Sequence, residues 1–504
     1  MNRYNEPIGF VLSRETKPPS HLEFEFHINR DYEVKVGDYV EVPSDKGGII
    51  GRIYEIVSYS SYFSNINLLK AHTLYGLQLP SRIQTSSDEV LIARVRIIGV
   101  YYDGVLEPPS IPPSPGENVY FVENNLLASI LGISRNGVFL GMAWNKDSLK
   151  VILDIDKLVR HHIAILGVTG TGKSYTCGVL IEELLDKNIP VIIVDPHGEY
   201  LSLSRPNDNI EQVEKLKNLG LRPKGYKIMV YSPPTETFRT AFHRTLTVKL
   251  TDIPPEALAE MCNMTDIQED LLFLATRKLR SNNTLEDFER IIENTAESYG
   301  FKDITLIAIK RRLAVLDHLR IIDKGINAKE VIRPGYATII DLSADIPERA
   351  KRALVGIILL KLFIARKNKR IPPFLVIVEE AHRFAPQNEQ TFSKIVLRRI
   401  AREGRKFGVG LCIASQRIVG LDKDILSQCG TKILLRIDSM TDLNFLKPLL
   451  EHSSFDEIKR LPYLPVGVAL VTGISLKYPL LVKIRPRKSK HGGVGERIQC
   501  EKQV

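Results

Sequence analysis

No apolar run in these 504 residues approaches the roughly 20 needed to cross a bilayer. The opening residues, M-N-R-Y-N-E-P, lack the apolar core of a signal peptide. The expected compartment is therefore the cytoplasm, with no membrane partner. Cysteine is scarce: five residues, at 177, 262, 412, 429 and 500, contain no C-x-x-C pair. That spacing argues against a disulfide framework or a zinc site. The apolar or helical surroundings of four of them suggest buried free thiols. Charge of neither sign is missing, since 69 Lys+Arg face 59 Asp+Glu and leave a net +10. A basic excess of this size suits a polyanionic partner or a merely soluble basic protein, and charge alone does not separate the two. What is present, 44% hydrophobic and 25% charged residues, is the composition of a globular chain long enough for more than one domain.

The organising stretch is G-V-T-G-T-G-K-S at 167–174. An apolar run of strand type, 162–166, precedes it, and 175–185 reads as a helix. This strand–loop–helix context is what a phosphate loop, G-x4-G-K-[ST], requires. Gly167, Gly170 and Gly172 let the backbone curl so that N–H groups, with Thr169 and Thr171 between them, face phosphate oxygens. The following helix adds its positive end, beginning near Tyr175. Lys173 can reach the β- and γ-phosphates, and Ser174 can ligate magnesium. The chain is expected to bind ATP with Mg2+.

Residues 1–150 differ from the rest. Segments 34–43, 48–58 and 90–102 alternate apolar and polar residues between turn signals, which suggests a small β-barrel. The proline-rich 108–115 reads as a stiff extended spacer rather than a core element. Beyond the phosphate loop, 189–194 is a buried parallel-type strand ending in D-P-H-G-E-Y at 195–200. Asp195 stands where open α/β sheets bind ligands, provided its strand lies beside the phosphate-loop strand; the alternative is a capped turn. The second half of the site is the strand 373–378, delivering Glu379, Glu380 and, two residues on, His382. Glu379 takes the place usually held by Asp and would meet magnesium directly or through a water. Glu380 is the better candidate for the base that polarises water.

The long interval between Lys173 and Glu379 contains an insertion. From about 252 to 335 apolar residues recur at helical spacing, so a helical subdomain is expected. A helix over 392–407 carries Lys394, Arg398, Arg402 and Arg405 within roughly 80° of one another. Those cations form either a solvated basic face or the source of an arginine presented to a neighbour's γ-phosphate. The strand 409–414 delivers Gln416, either a polar cap or a sensor of the γ-phosphate. Strands at 430–436 and 466–471 are expected to complete a mostly parallel sheet, and the basic 483–490 reads as a flexible tail. The domain reading is 1–150 barrel and linker, 151–250 first part of the core, 251–335 helical insertion, 336–482 second part, and 483–504 tail.

In order, the barrel, G-V-T-G-T-G-K-S, V-D-P-H-G-E-Y, L-V-I-V-E-E-A-H and A-S-Q-R resemble the archaeal HerA helicase/translocases, grouped with the FtsK-like hexameric DNA pumps. The resemblance implies a RecA-like α/β P-loop core and a homohexamer that threads double-stranded DNA. It also implies work with the NurA nuclease and other end-resection proteins in double-strand-break repair. On this resemblance Lys173 and Ser174 bind ATP–Mg2+, Glu380 is the base, and Asp195 and Gln416 line the site. Arg405 is first choice for the trans arginine, Arg402 second, and Arg160 a further interface candidate. A coupling ATPase of a DNA-transfer apparatus and a nucleotide-gated clamp with little turnover are the alternatives.

Overall fold

The computed structural model describes residues 6–60, 89–234, 242–280, 283–450 and 455–492. Cys500 and the last twelve residues of the expected tail lie outside them. The chain divides into two units, one holding residues 1–132 and 145–149, the other 133–144 and 150–504. Among the described residues no helix is long and apolar enough to cross a membrane.

The first unit is a barrel. Its strands are β1 (Gly9–Leu12), β2 (Glu23–Ile28), β3 (Tyr39–Ser44), β4 (Gly47–Ser60), β5 (Glu89–Tyr102), β6 (Val105–Glu107) and β7 (Asn118–Phe121). The order β2-β1-β7-β3-β4-β5 closes on itself through a β2–β5 pairing, and β6 hangs from β5. Closure needs sharply bent strands, and the long β4–β5 ladder supplies the bend through register shifts at Ile50/Gly51 and Ile53/Glu55. Gly51 is required there, because a Cβ would come within 2.3 Å of Val95. Phe24, Phe26, Val40, Ile49, Ile53 and Val95 fill the interior. The proline-rich stretch is not a spacer between units. It joins β6 to β7 within the barrel, with Pro113 buried and Ile111 packed on the barrel core.

The second unit is built on a twelve-stranded sheet in the order β13-β12-β14-β11-β15-β16-β10-β17-β18-β19-β8-β9. These are β8 (Val138–Ala143), β9 (Lys146–Leu153), β10 (Ile163–Leu166), β11 (Val191–Asp195), β12 (Lys227–Ser232), β13 (His243–Thr245), β14 (Tyr336–Asp341), β15 (Phe374–Val378), β16 (Val409–Ser415), β17 (Thr431–Leu434), β18 (Val468–Gly473) and β19 (Leu480–Ile484). From β13 to β17 every neighbouring pair is parallel. The central strands β10, β11 and β15 are apolar at nearly every position and wholly buried, as helices on both faces demand. Beyond β17 the sheet departs from the expected parallel pattern: β18, β19 and β8 pair antiparallel. β8 lies in the core sheet, although the sequence places it in the barrel region.

Between β13 and β14 stand helices Pro255–Met261, Asp266–Thr276, Leu285–Tyr299 and Asp303–Leu319, whose buried faces join the same hydrophobic core as the sheet. Thr265 and Thr284 start two of them with capping boxes.

The C-terminal segment differs most from expectation. Residues 485–490 are no free tail but a strap laid along the phosphate-loop helix, Lys173–Asp186. Arg485 is 1% exposed and reaches Glu182 at 3.0 Å and Glu183 at 2.9 Å. Lys488 pairs with Glu183 and Asp186, each at 2.7 Å. The backbone N–H and hydroxyl of Ser489 both donate to Glu182. Two acids inside a helix that packs on a sheet require such partners, since an unpaired buried charge is costly.

Candidate active site

Three adjacent strands, β15, β16 and β10, bring the chemistry together at their C-terminal ends. After Leu166 the backbone turns through Gly170 (φ 77°) and Gly172 (φ 104°), conformations that favour glycine. A Cβ on Gly167 would stand 2.8 Å from that of Leu435. Val168 is anchored by its N–H to the carbonyl of Arg436, and Thr171 by its hydroxyl to the carbonyl of Val168. Among the described residues the backbone N–H groups of Thr169, Gly170, Thr171 and Gly172 have no acceptor within the chain. Donors left over at a helix N-terminus form an anion cradle. The Lys173 ammonium lies over the same loop, 3.2 Å from the Val168 carbonyl. The donor set suits a polyphosphate, and Ser174, half-buried in the first helical turn, supplies the hydroxyl that a magnesium ion would take.

Gln416 follows β16 and accepts a hydrogen bond from the Thr169 hydroxyl, so it touches the phosphate loop directly. Glu380 follows β15 in a left-handed conformation, φ 46° and ψ 46°. Such a backbone costs a glutamate on the order of 1–3 kcal/mol and turns its side chain out of line with the strand. Burial raises its pKa, against the pull of Lys173 and His197. A raised pKa suits a proton acceptor.

Glu379 points elsewhere. It is 5% exposed, and its carboxylate accepts a hydrogen bond from the Tyr200 hydroxyl. Burial raises its pKa to about 7, with Tyr200 and Cys177 opposing and Asp195 reinforcing the rise. The same Tyr200 hydroxyl lies 3.5 Å from the Ser174 carbonyl, which puts Glu379 beneath the first turn of the phosphate-loop helix.

Asp195 requires a correction. Its strand β11 is flanked by β14 and β15, so β15 and β16 separate it from β10. Its carboxylate accepts the N–H groups of His197 (3.1 Å), Gly198 (2.9 Å) and Tyr200 (3.0 Å). It is the cap of its own turn, and its effect on the site is to seat Tyr200 under Glu379. Burial still raises its pKa to about 6. Tyr175 also turns away from the loop. Its hydroxyl donates to Gln212 (3.1 Å) and accepts from the Arg487 N–H (2.8 Å), and its ring meets His491 edge-on.

The basic helix spans Phe392–Phe407, as expected, but its cations divide. Lys394 is buried among the carbonyls of Pro386, Gln387 and Glu389, and Arg398 clamps Asp422 at 2.7 Å. Arg402 is exposed beside Asp424, and Arg405 is exposed with no ion pair among the described residues. Arg160 is 60% exposed, 3.8 Å from Asp156.

Sequence reasoning assigned no role to Tyr200, His382 or Ser415. All three stand inside motifs that were legible, V-D-P-H-G-E-Y, L-V-I-V-E-E-A-H and A-S-Q-R. His382 Nδ1 lies 3.2 Å from Glu380 Oε2 and 3.1 Å from Ser415 Oγ. Burial, with Arg417, Arg383 and Lys173 nearby, lowers the pKa of His382 to about 4, so its ring is neutral.

Fold and site together define a RecA-like P-loop ATPase, an ATP-hydrolysing enzyme. The family described as the central domain of helicase HerA matches residues 138–362. The DNA double-strand break repair helicase HerA of Pyrococcus furiosus is 30% identical over 94% of this chain and 92% of its own length. The protein of the same name from Sulfurisphaera tokodaii is 28% identical over 96% and 94%. The chain belongs to the HerA helicase family. Among solved structures, VirB4 of Thermoanaerobacter pseudethanolicus matches with a TM-score of 0.50 at 16% identity, covering 70% of this chain and 96% of that one. The bacterial conjugative coupling protein TrwB matches with a TM-score of 0.50 at 14% identity, covering 74% and 94%. At that identity the likeness concerns the fold.

Proposed function

We propose that this chain is an ATP-driven translocase of double-stranded DNA that acts as a homohexameric ring with a NurA-type nuclease in processing broken DNA ends. The observation that carries the reading is the meeting of the free N–H cradle, Lys173, Glu380 and Gln416 at the ends of three neighbouring strands. In the proposed reaction the cradle and Lys173 hold the phosphates in line. Glu380 accepts a proton from the attacking water, and Gln416 registers the γ-phosphate through the tip of β16. A magnesium ion, held by Ser174 with Glu379 behind it through a water, would neutralise phosphate charge. Arg405, exposed and unpaired, serves a neighbouring subunit's site, and the barrel packs the ring and receives the nuclease. A second reading, a coupling ATPase of a DNA-transfer apparatus, is favoured by the fold likeness to TrwB alone.

The test is steady-state ATPase with and without linear duplex DNA on three proteins. Wild type should be stimulated by DNA. Glu380→Gln should bind ATP and fail to hydrolyse it, whereas Lys173→Ala should lose tight binding. Wild-type turnover in Glu380→Gln would remove the proposed base, and DNA-insensitive turnover in wild type would remove translocation.

A further inference from the structure

We propose that His382 is a positioning residue for Glu380, linking its carboxylate to the tip of the strand that touches the phosphate loop. The inference rests on Glu380 being the group that activates water. Hydrogen-bond bookkeeping around Ser415 carries it. The Ser415 hydroxyl has one proton and three neighbours: it lies 3.1 Å from the Arg417 carbonyl, accepts the Arg417 N–H at 3.2 Å, and lies 3.1 Å from His382 Nδ1. A carbonyl can only accept, so with the hydroxyl proton given to Arg417 the tautomer that pairs with Ser415 is the one protonated at Nδ1.

In the resulting arrangement the N–H points at Ser415, and Glu380 Oε2 rests against the same nitrogen but off the N–H line. That oxygen is buried and has no hydrogen-bond partner. Nδ1, held by Ser415, packs against Oε2 and so fixes where the carboxylate rests relative to the tip of β16. Ser415 ties that placement to the phosphate loop, because its carbonyl accepts the Gly167 N–H at 3.4 Å and its neighbour Gln416 holds Thr169. The charged groups that act on the ring are Arg417, Arg383, Lys173 and Glu348.

The experiment compares full-length His382→Phe, His382→Asn and Ser415→Ala with wild type by kcat and KM for ATP hydrolysis, binding of a non-hydrolysable ATP analogue, and melting temperature. Phe keeps a ring without the donor, and Asn keeps a donor without the ring. His382→Phe and Ser415→Ala should lower kcat on the order of 10-fold or more with KM and analogue binding little changed, and His382→Asn should restore most of the loss. Equal kcat in the Phe and Asn variants, a Ser415→Ala enzyme of wild-type kcat, or losses confined to KM would overturn the assignment. Glu380→Gln run alongside separates two failures. If it is inactive while His382→Phe is normal, only the role of His382 falls; if it turns over normally, the base assignment itself falls.

Discussion

Asp195 and Glu379 are two carboxyls that the fold removes from water within one small region, and their pKa values rise to about 6 and about 7. A carboxyl whose folded pKa is raised binds its proton more tightly in the native state. Its contribution to stability is complete below the unfolded value of roughly 4 and is lost as pH climbs through the folded value. Asp195→Asn removes one such titration. The stability of wild type minus that of Asp195→Asn should therefore decrease from about pH 4 to pH 7, by an amount on the order of 2–3 kcal/mol. Melting curves in magnesium-free buffers across that range check the sign, and a rising difference would contradict it. At this scale Lys173, Glu380 and Gln416 were legible because each follows a short local signature of glycine spacing or an apolar strand. The Tyr200–Glu379 hydrogen bond was not, since its partners are 179 positions apart and meet only when β11 and β15 pair.

Helices and strands follow the same division. The boundaries of the basic helix and the buried parallel strands could be read from apolar periodicity, but the orientation of β18 could not, because an apolar run pairs equally well in either direction. The strap shows the limit most clearly. Glu182 and Glu183 look like the solvated face of a helix, and 485–490 looks like a basic tail, until the two are laid together 302 to 307 positions apart. Gly178 gives the strap its room, since a Cβ there would stand 2.5 Å from the guanidinium carbon of Arg487. Glu182→Ala leaves Arg485 charged and buried with one partner fewer. It should lower stability by about 3–5 kcal/mol, and nucleotide binding should weaken with it as the helix behind Lys173 loosens. Thermal melting and ATP-analogue binding test both; an unchanged melting temperature would mean that the strap contributes little.

For the whole molecule, the exposed Arg405 is the feature that makes one chain an incomplete enzyme in the proposed ring. Arg405→Ala should bind ATP normally and lose turnover by about 10³-fold. Mixed into wild-type rings, it should depress activity more than dilution does. Activity that tracks the wild-type fraction linearly would count against a shared site. The two-unit architecture was legible in outline, from strand alternation before the phosphate loop and helical spacing after it. The division itself was not, because β8 reads like one more barrel strand and joins the core sheet only through β19, far along the chain.

The strap also sets an order on the making of the protein. The phosphate-loop helix leaves the ribosome roughly 300 residues before the cations that pair with its acids, an interval of about 15–60 s at ordinary rates of synthesis. Until then Glu182 lacks the partners that the strap gives it, while Glu183 can accept the Phe139 N–H and Asp186 the Lys224 ammonium. The ion pairing that backs the helix of Lys173 in the finished fold is therefore completed only when Arg485 and Lys488 have been added.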